Sequence, residues 1–454
     1  MSRPHSRLLD YLSNKYFVFS IAVIIHISLV IAIGYYRKPV LYENGVIAKN
    51  MLEGNGFSRS PYRPLLIEKG VNNENSLSNN KLPLIMKTQT TANQAPGYPF
   101  ILFLSWKVLR ENPATYLIIS LVQAILVSSI VFPVGWLTRR WFREEAVVWV
   151  MWIACLMPLY AWYATRLHQP AIVMTFYPWL LAGWLSMTET NSKWRAVIVG
   201  IATGLAGLFQ PVLLGVFALI GIILLFKSLK TRNVTDIRRL VLATLLVLLI
   251  LTPWTVRNYM AFDQLVLIKN SFGKEFWIGN NPESTGTSVL EGGKLDIFSY
   301  LVPKYIDLES QVSEMHFMKS MQSQAIDYVR SDPAAFVTRT LKKIFWFWTA
   351  VPKKYLDSTG HGKRLTFDWF QMCYWFIFLL IAGYAKIFYG KFPGEYIMVL
   401  LVFFLLNSII YGLTFVNHAR FRGEIEFIIM PAVAQGIVLL RDMGNRFSRR
   451  RLGT

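Results

Sequence analysis

Apolar residues fall in long runs along this chain, while polar residues gather in two extended stretches and in the short gaps between runs. Crossing a bilayer core of about 30 Å takes about 20 mainly apolar residues in a helix. Runs of that order lie near 16–36, 115–137, 146–163, 170–187, 196–209, 211–226, 239–256, 366–385, 395–415 and 425–440, which predicts about ten transmembrane helices. Gln210-Pro211 interrupts the apolar stretch between 196 and 226 and sets a helix boundary there, because proline lacks the amide donor that a helix interior uses. The first run is too long for the apolar part of a signal peptide, and no small-residue cleavage site follows it, so it reads as a retained anchor.

The polar stretches cover about 37–114 and 257–365. Within the first, Glu43–Leu52 predicts a helix, the Asn- and Ser-rich segment from Val71 to Asn80 reads as a mobile loop, and Pro96-Gly97-Tyr98-Pro99 closes the stretch. In the second, apolar residues at 308, 312, 315, 318, 321, 325 and 329 recur every three or four positions, one face of an amphipathic helix that Asp332-Pro333 ends. A short helix over Ala334–Lys343 then leads into the aromatic run Ile344–Trp348, suited to a membrane interface. The expected fold is thus an all-α polytopic membrane protein with two long loops carrying amphipathic helices. Its N-terminal transmembrane core is 1–256, including the first loop; the second loop is 257–365; the C-terminal helices and a basic tail occupy 366–454.

Composition agrees with that class. Hydrophobic residues make up 54% of the chain and charged residues 16%, against about 25% charged in a soluble domain, which excludes an ordinary soluble enzyme. The net charge of +21 would suggest nucleic acid in a soluble protein. Here the positions of the charges matter more. With the N-terminus in the cytoplasm, Arg139, Arg140 and Arg143, then Lys193 and Arg195, then the cluster from Lys227 to Arg239, Lys386 with Lys391, and the arginines of the tail all fall on the cytoplasmic side. That placement explains the basic excess without a nucleic-acid partner, and it puts both long loops at the extracytoplasmic face of a cytoplasmic membrane. Cys155 and Cys373 lie in apolar runs and suggest neither a disulfide framework nor a metal site.

The candidate chemistry therefore sits in the loops. Glu43, at the start of the first loop helix, places a carboxylate at membrane-surface depth where it could act as a general base. A glutamate there also simply complements the positive end of the helix dipole. Arg257, at the exit of a span, and His418, Arg420 and Arg422, in a short loop, run against the usual charge bias for that side. Guanidinium groups hold phosphates through paired hydrogen bonds, although an arginine at this depth can equally snorkel towards headgroups. His168, in Arg166-Leu167-His168-Gln169-Pro170, could contact substrate or be plain surface. No histidine spacing or acidic pair in the first loop suggests a metal, and Walker and Gly-x-Ser-x-Gly patterns are absent.

Four segments, taken in order, resemble a known family. These are Glu43 to Ser58; Pro96-Gly97-Tyr98-Pro99; Pro253-Trp254-Thr255-Val256-Arg257-Asn258-Tyr259 with Trp277-Ile278-Gly279-Asn280-Asn281-Pro282; and Ala325–Trp348 with Arg420-Phe421-Arg422. They are similar to the corresponding parts of GT-C fold glycosyltransferases of the family 39-like branch, which includes protein O-mannosyltransferases and lipid A aminoarabinose transferases. The resemblance implies a sugar donor carried on a polyprenyl phosphate and chemistry at the extracytoplasmic face. It also implies an acidic residue in the first loop that serves as base. With a base to take the acceptor's proton the transfer reads as inverting, and since polyprenyl phosphate is already a good leaving group once its charge is met, neither metal nor cofactor is called for. Arg257, His418, Arg420 and Arg422 are the candidate donor-phosphate contacts, and Lys49, Tyr98, His168 and Asn258 the candidate substrate contacts. Val40 stands where the family places its aspartate, and Glu43 is the nearest carboxylate. The acceptor, whether glycan, lipid or protein, is left open. A polyprenyl-lipid binder or flippase without transfer chemistry is the alternative, although a flippase calls for polar groups within its spans and few occur here.

Overall fold

Local capping signals in the sequence set where most helices begin. Asn14 accepts hydrogen bonds from the amides of Tyr16 and Phe17 and opens helix Lys15–Ile33, which Gly34 closes in a left-handed conformation. Asn112 caps Pro113–Ser128, Asn233 caps Val234–Phe262, Ser313 caps Glu314–Ser331 and Asp332 caps Pro333–Trp348. Proline at the first helical position reinforces two of these starts. The computed structural model describes residues 13–59, 88–190, 192–287, 313–349, 351–352, 362–416 and 420–452. Among them the chain is helical almost throughout; strands Ser58–Arg59 and Gln89–Thr90 form a two-stranded antiparallel ribbon.

The expected class, an all-α polytopic membrane protein, is the one observed. Seven helices among the described residues are long and apolar enough to cross a membrane, and eight if the pair Glu144–Cys155 and Pro158–Ala164, bent by 42°, is one span. The expectation of ten is not reached by that measure. Pro170–Ser186 and Lys193–Gly207, of 17 and 15 residues, correspond to two of the expected runs but are shorter than the rest. The break at Gln210-Pro211 is present: one helix ends at Gly207 and the next starts at Pro211.

Three expectations change. The segment after Pro96 is not simply the end of a loop, because Gly97–Leu109 forms a further apolar helix that packs against Tyr42–Leu52. The span expected to stop at 256 continues to Phe262, so Arg257 and Asn258 lie inside a helix. The aromatic run Ile344–Trp348 belongs to the preceding helix, Pro333–Trp348. The amphipathic helix expected from 308 is described from Glu314; its first positions and the Asn-rich segment 71–80 lie outside the described residues.

Close helix contacts hold the bundle together. Lys193–Gly207 lies tightly along Val234–Phe262, and a side chain at Gly200 would come within 2.6 Å of the Ala243 carbonyl oxygen. The C-terminal helix Met430–Leu452 packs against Gly362–Tyr389 and Glu144–Cys155. At one end of the bundle Arg140 pairs with Glu395 and Glu189, and Arg143 with Asp442, joining early helices to late ones. The loops assemble at the other end. There the Gly97 amide donates to the Leu208 carbonyl, and the Trp254 indole and Asn258 amide donate to carbonyls in 266–268. Buried Lys343 donates to the carbonyl oxygens of Gly279, Leu413 and Thr414 and to the Asn280 side chain, fastening the second loop to the end of helix Gly394–Leu413.

Candidate functional site

Helix Tyr42–Leu52 buries Asn44–Ala48 and Asn50 against the bundle and leaves Glu43 on its rim. The chain then turns back, with the Asn50 amide donating to the Ser58 carbonyl, so that the strand Ser58–Arg59 runs beside the helix. Its partner strand leads to Thr91, Asn93 and Gln94, and this return brings two amide side chains to Glu43. The Asn93 amide lies 3.2 and 3.3 Å from the two carboxylate oxygens, Gln94 donates to one of them, and Arg59 Nη1 is 3.4 Å away. Lys274, from helix Phe272–Gly279 of the second loop, donates to the Asn93 side-chain oxygen at 3.0 Å.

About a quarter of the Glu43 side chain is exposed. Burial opposes its ionisation, but the charges of Lys274 and Arg59, the hydrogen bond from Gln94 and the charge of Lys269 outweigh it and hold the carboxyl below the usual carboxylate range. Behind it stands a second carboxylate, Glu314, which is almost fully buried. It accepts from the Thr91 hydroxyl at 2.6 Å, the Ala92 amide at 2.7 Å and Arg59 Nε at 3.3 Å. Glu275 lies nearby; burial opposes its ionisation, and Lys269, Ser271 and Lys274 lower its pKa. Among the described residues no three His, Cys, Asp or Glu side chains are grouped to hold a metal ion.

The other residues singled out from the sequence occupy varied surroundings. Arg257 lies at the edge of this cluster, but its guanidinium donates to the carbonyls of Thr91 and Phe57 and to Asn258, with its face near the Trp254 and Phe57 rings. Asn258 is fully buried and ties its helix to 266–268. Tyr98 is buried and donates to Gln123, whose amide donates to the Arg166 carbonyl. Lys49 is exposed on the Glu43 helix. The His168 ring meets the edge of Tyr42 at 5.6 Å, and Tyr42, directly before Glu43, has a φ of 49° that favours glycine.

Arg422 belongs to a separate buried network. Its Nε lies 3.0 Å from Glu426, its Nη1 donates to the Thr349 carbonyl at 2.6 Å, and it rests over the Trp375 ring. Tyr374 donates to the other Glu426 oxygen at 2.9 Å. His418 and the Arg420 side chain lie outside the described residues.

Sequence reasoning did not single out Arg59, Asn93, Gln94, Lys274 or Glu314. One signal was present for Glu314, an acid directly after a capping serine at the start of an amphipathic helix. The others carry no local signature, because their meeting depends on the pairing of two-residue strands and on the docking of the second loop.

No family model and no curated protein matches the chain. Among solved structures it is similar to the crystal structure of ArnT from Cupriavidus metallidurans bound to undecaprenyl phosphate. The match covers 93% of this chain and 77% of that one, at 12% identity and a TM-score of 0.39.

Proposed function

We propose that this chain is a membrane glycosyltransferase that moves a sugar from a polyprenyl-phosphate donor to an acceptor at the extracytoplasmic face, with inversion, and that Glu43 is its base. The observation that carries this reading is the Glu43 carboxylate itself: partly open, favoured in its ionised form, and set among Arg59, Lys269 and Lys274 where the loops meet the membrane bundle. In the step, an acceptor O–H or N–H gives its proton to Glu43 while its oxygen or nitrogen bonds to the anomeric carbon. The bond from that carbon to the phosphate oxygen breaks, and polyprenyl phosphate leaves with the electron pair. Lysine and arginine charge stabilises the leaving phosphate.

Arg420 and His418 are assigned to the donor phosphate in this reading, with Lys274 beside Glu43. Arg257 and Arg422, whose donors already meet carbonyls and a carboxylate, contribute charge and hold the loops around the donor. Lys49 and His168 are assigned to substrate. Tyr98 and Asn258 are assigned to fixing the segments that carry the site. The basic residues at the opposite ends of the helices support a cytoplasmic location for both termini.

One observation favours a second reading. Both Glu43 oxygens already accept from amide donors, so the carboxylate could serve to organise a polyprenyl-phosphate binding site without taking a proton. Membranes containing the protein, incubated with a panel of labelled polyprenyl-phosphate sugars, separate the two. Transfer of label that Glu43→Gln abolishes, with donor binding retained, supports the enzyme. Donor binding without release of any sugar supports the binder.

A further inference from the structure

Arg59 stands between two carboxylates that come from different loops. Its Nη1 lies 3.4 Å from Glu43 and its Nε 3.3 Å from Glu314. A guanidinium closed on one carboxylate reaches about 2.7–2.9 Å. Both distances are longer, as expected for a cation shared between two anions. Glu314 is held more firmly than Glu43, by short hydrogen bonds from the Thr91 hydroxyl and the Ala92 amide, and it starts a helix whose positive end favours a carboxylate. The buried acid is therefore the fixed member of the trio, and the partly open Glu43 the adjustable one.

We propose that Glu314 is a positioning residue for the Glu43 carboxylate, acting through the Arg59 they share. Its negative charge draws the guanidinium partly away from Glu43, which keeps Glu43 a stronger base than it would be if Arg59 paired with it alone. Because Glu314 heads a helix of the second loop and Glu43 a helix of the first, the bridge also makes the base sensitive to how the two loops dock. The charged groups facing Glu43 are Arg59, Lys269 and Lys274, and those facing Glu314 are Arg59 and Arg257; Glu275 balances the two lysines. The importance of the bridge for catalysis rests on the reading of Glu43 as the base, whereas the electrostatic coupling does not.

The test titrates Glu43 directly in the full chain in lipid nanodiscs. A water-soluble carbodiimide with glycine ethyl ester modifies protonated carboxyl groups, and mass spectrometry follows modification of Glu43 against pH, with exposed Glu53 as the reference. In Glu314→Gln the midpoint for Glu43 should fall, because Arg59 is no longer drawn towards Glu314 and a like charge is lost. In Arg59→Gln it should rise, and adding Glu314→Gln to Arg59→Gln should produce a smaller shift than in the wild-type background. General loss of packing would not move the two single variants in opposite directions. Should Glu314→Gln fold poorly, Glu314→Asp, which keeps the charge, should bring the midpoint back towards wild type. An unchanged or raised midpoint in folded Glu314→Gln overturns the proposal. If the midpoints move as stated but no sugar transfer is found, the enzyme reading fails and the bridge stands. If transfer depends on Glu43 but the midpoints do not move, the bridge fails alone.

Discussion

The two ends of the bundle use the same residue types to different effect. Away from the loops, arginines and carboxylates meet in pairs that staple neighbouring helix ends: Arg140 to Glu395, Arg143 to Asp442, Arg139 to Glu144. The Arg139–Glu144 pair stands well exposed, at 60% and 65%, and the other two are partly buried. At the loop end, Arg422–Glu426 and Arg59–Glu314 are withdrawn from solvent, while Glu43 keeps an open side and gathers amides and lysines instead of one dedicated arginine. A carboxylate held closely by arginine, as Glu395 and Asp442 are, has its charge answered and adds attachment. A carboxylate with several weaker partners, one of them shared, stays ionised and still reachable, which is what a base requires.

The sharpest way to break this contrast is at Glu43. Glu43→Gln should slow transfer by about 100-fold or more, the usual contribution of a positioned base, while the thermal midpoint changes little. The pH dependence has a definite sign. The pKa of Glu43 is depressed, so its ionised form, and the stability its cationic neighbours lend, are in place above the ordinary value of 4.5 and are lost as pH falls through the lower folded value. The rate should therefore hold as pH falls towards 4.5 and decline only below it; a decline centred above that value would remove Glu43 from the role.

Next in size is the buried pair. Arg422→Ala leaves Glu426 without its cation and should cost about 3–5 kcal/mol in unfolding measured in detergent. Replacing both residues by apolar ones of similar volume should recover much of that loss. Gly279→Ala should cost about 1–3 kcal/mol, because the added carbon would come within 1.8 Å of the Thr414 carbonyl oxygen, a backbone atom with little room to yield. Smallest is Arg139→Ala, at less than about 1 kcal/mol, since an exposed pair gains little over water. If Arg139→Ala proved as costly as Arg422→Ala, burial would not be what separates the two ends.

Much of the fold could be read in the sequence because it depends on neighbours along the chain. Apolar runs placed the long spans, Gln210-Pro211 marked a break that is present, and Asp332-Pro333 divided two helices where expected. Where the reading missed, the signal was local but mixed. Gly97–Leu109 opens with a turn-like Pro-Gly that predicts the close of a loop, although its apolar content supports a helix. Val234–Phe262 runs past the expected end at 256 because Arg257 and Asn258, polar residues that mark the end of an apolar run, find carbonyl partners at Phe57, Thr91, Val266 and Ile268 while the helix continues. Of the site, Glu43 was visible as an acid at a helix start. Its partners were not, because nothing near Asn93, Arg59 or Lys274 in the sequence indicates a carboxylate.

What the sequence alone determined was the membrane class, the approximate spans and the two long loops, since the length of an apolar run and the identity of a capping residue are properties of adjacent positions. Only the tertiary structure decided which cations meet which acids. It gave Arg257 to backbone carbonyls, Arg422 to Glu426, and Arg59 to Glu43 and Glu314 together. The physical reason is the range of the forces. Capping and hydrophobic length act over a few residues, whereas a charge pairs with whatever opposite charge the packing of distant segments brings within reach.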